Sequence, residues 1–397
     1  VSKIIDSDNS KKALIEPHGG TLVDRCLGDA FQDIDLVNLP KLSVDVDVLM
    51  DLEQFGIGTF SPIEGFLKRD DYQNVLDNMR LVSGVPWTIP IILSIDDKQR
   101  SILKRREEVA ITYRADNEVH GIVEIEDIYP YDKEEFAKKI YGTTSVRHPG
   151  RQYLERMGSY LLGGKVKLRR KYDSNCNDYN LTPAQVRDYF SSLGWSKVVG
   201  FHTRNVIHRS HEFIQIEAMK RCKCDGLFVH PIIGRKKKGD YTADTIIQSY
   251  DVMMKCHYPK NKVAFGVFRS YSRYAGPREA IFTALCRKNF GCSHFIVGRD
   301  HTGVGNYYHP TASQEIFRKF DDLGIEPVFF GEIGYSKDLG RYVDVQDFPD
   351  NSILKISGTE ARHMLKQKIM LPEWFMRPEI SRLIIDKLNN NEEVFVQ

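Results

Sequence analysis

Apolar and polar positions follow two rhythms along this chain. Before about residue 170 the runs are short and β-rich: positions 88–94, 108–113 and 119–125 are rich in Ile, Val and Thr, and several alternate apolar with polar. A period of two predicts half-buried strands. Helical stretches are few there, with 69–78 a candidate. Residues 171–181 are polar, rich in Asn and Asp, and read as a linker. From Thr182 the rhythm changes. Thr182-Pro183 predicts the cap and first turn of a helix running to about Leu193 and stopped by Gly194. Strands at 197–201, 226–232, 262–268 and 293–298 then alternate with helices at 206–222, 241–256 and 277–290. Such alternation predicts a parallel sheet with helices on both faces. Ligands of such sheets sit beyond the carboxyl ends of the strands.

Composition sets the outer bounds. The 397 residues leave room for two or three domains and a sizeable core. A hydrophobic share of 41% and a charged share of 28% are ordinary for a globular protein. A net charge of +2 gives no global reason to expect nucleic acid or a membrane surface. The seven cysteines (26, 176, 222, 224, 256, 286 and 292) are odd in number and form no CxxC pair, which predicts reduced thiols in the cytoplasm. The N-terminal residues lack an apolar signal region, and no apolar run approaches the roughly 18 residues a membrane span requires. The expectation is a soluble, cytoplasmic protein.

The densest chemistry follows the strand at 197–201. His202, Arg204, Asn205, His208, Arg209 and His211 crowd a turn that opens an amphipathic segment. Asn205 is a good N-cap and predicts a helix from Val206. A helix start presents bare N–H groups and a partial positive charge, so a cationic turn there suits an oligophosphate. His208 and His211, spaced i, i+3, would then share one face. A solvated histidine pair is the plain alternative. Zinc is disfavoured, because the familiar helical zinc motif spaces its histidines i, i+4 with a Glu between.

Two further strand ends carry related residues. Gly298-Arg299-Asp300-His301-Thr302-Gly303-Val304-Gly305 offers glycines that let backbone approach a ligand, with Arg299 to pair with phosphate. Gly234 to Asp240 holds four consecutive cations, either a solvated loop or a pyrophosphate contact. Pro277 starts a helix, and Arg278 is a candidate for the same pocket. Two motifs fail: the run from Gly158 to Val166 departs from a P-loop in spacing and lacks the Ser/Thr after Lys165, and no GxGxxG opens the α/β region.

Together, His202-Thr203-Arg204-Asn205-Val206-Ile207-His208-Arg209-Ser210-His211 and the Gly298–Gly303 segment resemble the sulfate adenylyltransferase (ATP sulfurylase) family. Gly58 to Phe66, Tyr274 to Glu279 and Ile356 to Arg362 resemble its other signatures, so the likeness covers most of the chain. The resemblance implies a PUA-like, β-rich α+β N-terminal domain (1–170) and an α/β Rossmann-like HxxH nucleotidyltransferase domain with a parallel sheet (171–325). A small C-terminal α/β subdomain (326–397) follows, in a single-function form without an APS kinase domain. The implied reaction joins ATP and sulfate into adenosine 5′-phosphosulfate (APS) and diphosphate. In that reading Thr203, Arg204, Asn205, His208 and His211 are catalytic, and His202, Arg204 and Thr302 bind sulfate. The nucleotide is held by His202 to Asn205, by Gly298, Arg299, Asp300 and His301, and by Ile333 near adenine. Mg²⁺ comes with the phosphates, and a homodimer is common among such chains.

Three positions depart from the family. His202 stands where Gln is usual, Val206 where Pro is common and Thr302 where Ala is usual. Some members carry a CxxC zinc knuckle after the glycine-rich segment, but residues 303–397 contain no cysteine, so no structural zinc is expected. The alternatives are another HxxH nucleotidylyltransferase and an RNA-binding protein. Against the second stand the near-neutral charge and the lack of a basic–aromatic face.

Overall fold

The computed structural model describes residues 13–28, 36, 38–103, 107–171, 176–349 and 352–397. The polar N-terminal residues and positions 172–175 of the expected linker lie outside these.

The N-terminal strands β1 (Lys41–Val44), β2 (Gly65–Phe66), β3 (Leu93–Ile95), β4 (Glu108–Tyr113), β5 (Val119–Pro130) and β6 (Tyr160–Leu168) form one sheet, in the order β1-β4-β5-β6-β2 with β3 also on β6. Only the β1–β4 pair is parallel. The helix Arg69–Asn78 and β4 fall where periodicity predicts them. The run 88–94 is strand only at its end, since Pro90 has no N–H to give a ladder, although Ile89 and Ile91 are buried. The lysine-bearing run that mimics a P-loop is β6. A β-carbon on Gly164 would lie 1.9 Å from the Glu124 carbonyl oxygen, so that glycine serves strand crossing.

The helix Val46–Gly56 is absent from the sequence reading because its acids look like surface residues. Asp47, Asp51 and Glu53 are in fact buried, each against a cation from the second half of the chain. Arg235 pairs with Asp47 at 2.9 Å, Arg269 with Glu53 at 3.1 Å, and Arg273 with Asp51. These pairs, two of them buried, tie the N-terminal sheet to the loops beyond the second sheet.

That second sheet is parallel throughout: β7 (Val198–Phe201), β8 (Gly226–Val229), β9 (Val263–Phe265), β10 (His294–Val297) and β11 (Glu326–Phe329), in the order β11-β10-β7-β8-β9. All residues of β7, β8 and β10 are buried, as strands covered on both faces must be. One face, through Val198, Phe228 and Phe295, joins the core of the N-terminal sheet. The other, through Val199, Leu227 and Ile296, packs with the C-terminal helix residues Ile380 and Ile384. The chain runs β7, β8, β9 in one direction and then returns to β10 and β11 on the opposite side. Strand order therefore reverses between β7 and β10, which opens a crevice at their carboxyl ends. Beyond β11, the strands β12 (Ile333–Ser336), β13 (Arg341–Asp344) and β14 (Ile353–Leu354) form a small antiparallel sheet in the order β13-β12-β14.

Candidate active site

The turn after β7 and the turn after β10 face each other across that crevice. They enclose a cavity of about 250 Å³ lined by His202, Thr203, Arg204, Asn205 and His211 on one side, and by Gly298, Arg299, Asp300, His301 and Thr302 on the other. Ten of the twelve residues singled out from the sequence meet here. The other two, His208 and Ile333, line a neighbouring cavity of about 400 Å³, and Asn205 borders both.

The helix after β7 begins later than Asn205 predicts. It spans Arg209–Arg221, and His208 is its N-cap with extended backbone (φ −131°, ψ 167°). The reason lies in Val206 and Ile207, which are drawn into the core and hold the chain extended for one more turn. Asn205 instead closes a local turn, its amide donating to Thr203 Oγ1 at 3.2 Å. His208 and His211 nevertheless meet, with ring centroids 3.7 Å apart. Burial pushes His208 down to about 4, and burial plus its neighbour hold His211 well below the usual imidazole range. Both rings are therefore neutral at pH 7.

Electrostatics differ sharply among the cations. No hydrogen bond or ion pair occupies the Arg204 guanidinium among the described residues, which leaves it for an anion. Beneath it, Lys236 Nζ donates to the Ile232 carbonyl at 2.8 Å and the Arg204 carbonyl at 3.3 Å, and burial lowers it to about 8. Of the four-cation run, Arg235 turns away to Asp47, while Lys237 and Lys238 are exposed. Arg278 does not face the crevice. It donates instead to the Val75 and Leu76 carbonyls of the N-terminal domain at 2.9 and 2.8 Å.

The turn after β10 is built by positive-φ residues, Asp300 (φ 55°) and Thr302 (φ 58°). The left-handed region is unfavourable for a β-branched residue, and Thr302 is held there by its hydroxyl, which donates to the Gly276 carbonyl at 2.8 Å or to His301 O at 2.6 Å. That hydroxyl is thus turned to backbone carbonyls. Gly303 is explained locally, because a β-carbon would lie 1.8 Å from the Asp300 carboxylate. At Gly298 a β-carbon would meet nothing within 4 Å, so only there does open space match the close ligand approach expected of these glycines. Arg299 pairs with Glu332 at 3.1 Å, beside Ile333.

Four neighbours of the crevice were given no role from the sequence, although Tyr274 and Glu279 bound one of the family-like runs. Ser272, Tyr274 and Glu279 line the crevice, and Glu279 accepts from the Arg273 and Ala275 amides at 2.9 and 3.1 Å, shaping the turn that carries Tyr274. The fourth, Arg287, is fully buried beneath His202 at a Nη2–Nδ1 distance of 2.9 Å. Its helix, Pro277–Asn289, is buried from Glu279 onward and so shows no periodic signal. Among the described residues no three His, Cys, Asp or Glu side chains are grouped as metal ligands would be, and no helix is long and apolar enough to cross a membrane.

A parallel sheet with a cationic turn and a glycine-rich turn flanking its switch point defines a phosphate-handling α/β protein. Comparison with known proteins narrows the class. Residues 177–387 match the ATP-sulfurylase family and residues 15–171 match a PUA-like domain. The chain is 41% identical over 374 residues to the sulfate adenylyltransferase of Staphylothermus marinus, covering 93% of this chain and 97% of that one. With the sulfate adenylyltransferase of Pyrococcus abyssi it shares 41% over 378 residues, again 93% and 97%. The chain belongs to the ATP-sulfurylase family. The same fold recurs in a solved structure described as a hexameric APS kinase from Thiobacillus denitrificans, with a TM-score of 0.76 at 20% identity over 94% of this chain and 69% of that one.

Proposed function

We propose that the chain is a sulfate adenylyltransferase, a nucleotidyltransferase that joins ATP and sulfate into APS and diphosphate, reversibly, in the crevice between β7 and β10. Family membership supports the reaction. The observation that carries its placement is the unpaired Arg204 guanidinium facing the Gly298–Thr302 turn across a cavity of about 250 Å³. A sulfate oxygen attacks the α-phosphorus, the bond to the bridging oxygen breaks, and diphosphate leaves with that electron pair. No proton has to be removed, because sulfate is already dianionic at pH 7. The protein's tasks are positioning and charge stabilisation.

In this reading His202 Nε2–H, Arg204 and the Thr302 amide hold sulfate. Thr203, Arg204 and Asn205 orient the phosphates, and Gly298 to His301 contact the nucleotide. His208 and His211 donate to the oxygens of the pentacoordinate phosphorus and the leaving diphosphate. Ile333, in the cavity shared through Asn205, packs near adenine. An anion bound against two neutral, half-buried imidazoles raises their pKa values, so protonation would follow substrate entry. Mg²⁺ enters as part of the substrate MgATP, since hard oxygen ligands from the phosphates and water suit it.

The domain division is proposed as 1–170 for the PUA-like part and 171 onward for the HxxH nucleotidyltransferase part. The start of the C-terminal subdomain is moved from 326 to beyond Phe330, because β11 is hydrogen-bonded into the parallel sheet. A homodimer is proposed from the family resemblance and is testable by sedimentation velocity. All seven cysteines are free thiols, which supports a cytoplasmic setting. The test of function is sulfate-dependent release of diphosphate from MgATP. Release that ignores sulfate would favour a different HxxH nucleotidylyltransferase.

A further inference from the structure

We propose that Arg287 is a positioning residue of the crevice: its guanidinium holds the His202 ring with Nδ1 unprotonated, so that Nε2–H is the donor offered to the anionic substrate. The proposal rests on the reading of the crevice as a sulfate adenylyltransferase site. Arg287 comes from the buried helix Pro277–Asn289 and is fully inaccessible. Its Nη2 lies 2.9 Å from His202 Nδ1 and 2.7 Å from the His230 carbonyl oxygen, and Nη1 lies 3.4 Å from the Thr283 carbonyl oxygen. A guanidinium can only donate, so His202 Nδ1 must accept. A neutral imidazole that accepts at Nδ1 carries its proton on Nε2. The tautomer is therefore dictated by the partner.

A second observation points to an anion. Arg287 has no carboxylate partner among the described residues, and its Nε is buried with no hydrogen-bond partner. Its surroundings are neutral rings: His202, His230 and His301, with Phe268 stacked 4.5 Å from the guanidinium carbon. A buried cation without a counter-ion is costly unless a ligand supplies the charge. The groups facing His202 are Arg204 on its own turn, His230 beyond β8, His301 beyond β10 and Arg287 itself, all cationic or neutral.

The same arrangement accounts for a histidine standing where the family usually has glutamine. A Gln amide also offers an acceptor, Oε1, and a donor, Nε2–H, at opposite ends of one planar group. With Arg287 behind it, either residue presents a donor to the crevice.

Histidine-selective ¹⁵N NMR of the wild-type protein, with His202→Gln assigning the signal, tests the lock directly. The expected result is His202 as the Nε2–H tautomer from about pH 6 to about pH 8. An Nδ1–H tautomer, or a titration midpoint inside that range, overturns the proposal. A double-mutant cycle supplies the functional readout. Arg287→Met is expected to raise KM for sulfate about tenfold with a smaller fall in kcat, and to add less than about twofold in a His202→Leu background. An equal penalty in both backgrounds would assign Arg287 a purely structural role. If the wild type releases no diphosphate in response to sulfate, the reading of the crevice fails, while the NMR result still decides the tautomer.

Discussion

His208 and His211 stack with ring centroids 3.7 Å apart and planes inclined by 29°, His208 bordering the cavity that holds Ile333 and His211 the crevice that holds Arg204. With Asn205, which borders both, the pair stands between the two spaces. Both rings are half-buried, and the partial loss of water around them lowers their pKa values and keeps them neutral at pH 7.

That neutrality makes stability depend on pH. Burial lowers His208, His301 and His18 from an ordinary 6.5 to about 4. The unfolded chain takes up protons near 6.5 and the folded chain only near 4, so the unfolded state binds more protons between those values. Stability is then fully present above about pH 6.5 and is lost as pH falls toward about 4, by at most about 3 kcal/mol per ring. The urea midpoint is expected to drop between about pH 7 and about pH 5, and APS should offset part of the drop. A midpoint constant across that range would contradict the burial argument.

His202→Gln should retain activity within about an order of magnitude and leave the shape of the pH profile between about pH 6 and about pH 9 unaltered. From sequence alone, a His in place of Gln predicts a changed profile. Burial and Arg287 hold His202 well below the usual imidazole range, and that predicts the unaltered one. A new or lost limb near pH 6.5 in the variant would show that His202 titrates after all.

Lys236 is expected to give the site its own alkaline limb. Burial lowers its ammonium to about 8, so it is charged below that pH and neutral above it. Its contacts to the Ile232 and Arg204 carbonyls weaken as pH rises through about 8. KM for MgATP should climb there by about threefold to tenfold, and Lys236→Met should show the raised KM at neutral pH with no further limb. An identical alkaline limb in the variant would place its origin elsewhere.

The buried Asp51–Arg273 pair couples the two halves of the molecule near Tyr274. Asp51→Asn leaves the Arg273 guanidinium buried without its counter-charge, next to Tyr271. The expected cost is about 3–5 kcal/mol in urea unfolding, with activity falling through the displaced Tyr274 turn. A cost below about 1 kcal/mol would mean the charge relaxes to solvent.

The parallel sheet was legible because strands covered on both faces must read as apolar runs separated by helices, and β7, β8 and β10 do. The two phosphate-handling turns were legible because their charged residues and glycines sit at strand ends. What stayed hidden shares one cause: residues whose partners are distant in sequence. Asp51 and Glu53 look like surface acids until Arg273 and Arg269 are placed against them. Arg287 looks like one more helix cation until it is seen beneath His202. The late helix start at Arg209 has the same origin, since only the core decides that Val206 and Ile207 are buried.

The most direct test of the central claim is ATP formation from APS and diphosphate with Mg²⁺, comparing wild type with His208→Ala. Rapid ATP synthesis by the wild type is expected, with a fall of about 10²-fold or more in kcat for the variant and little change in its thermal unfolding. Equal rates in the two proteins would remove the histidine pair from the chemistry, and no ATP from folded wild type would contradict the assignment of the reaction itself.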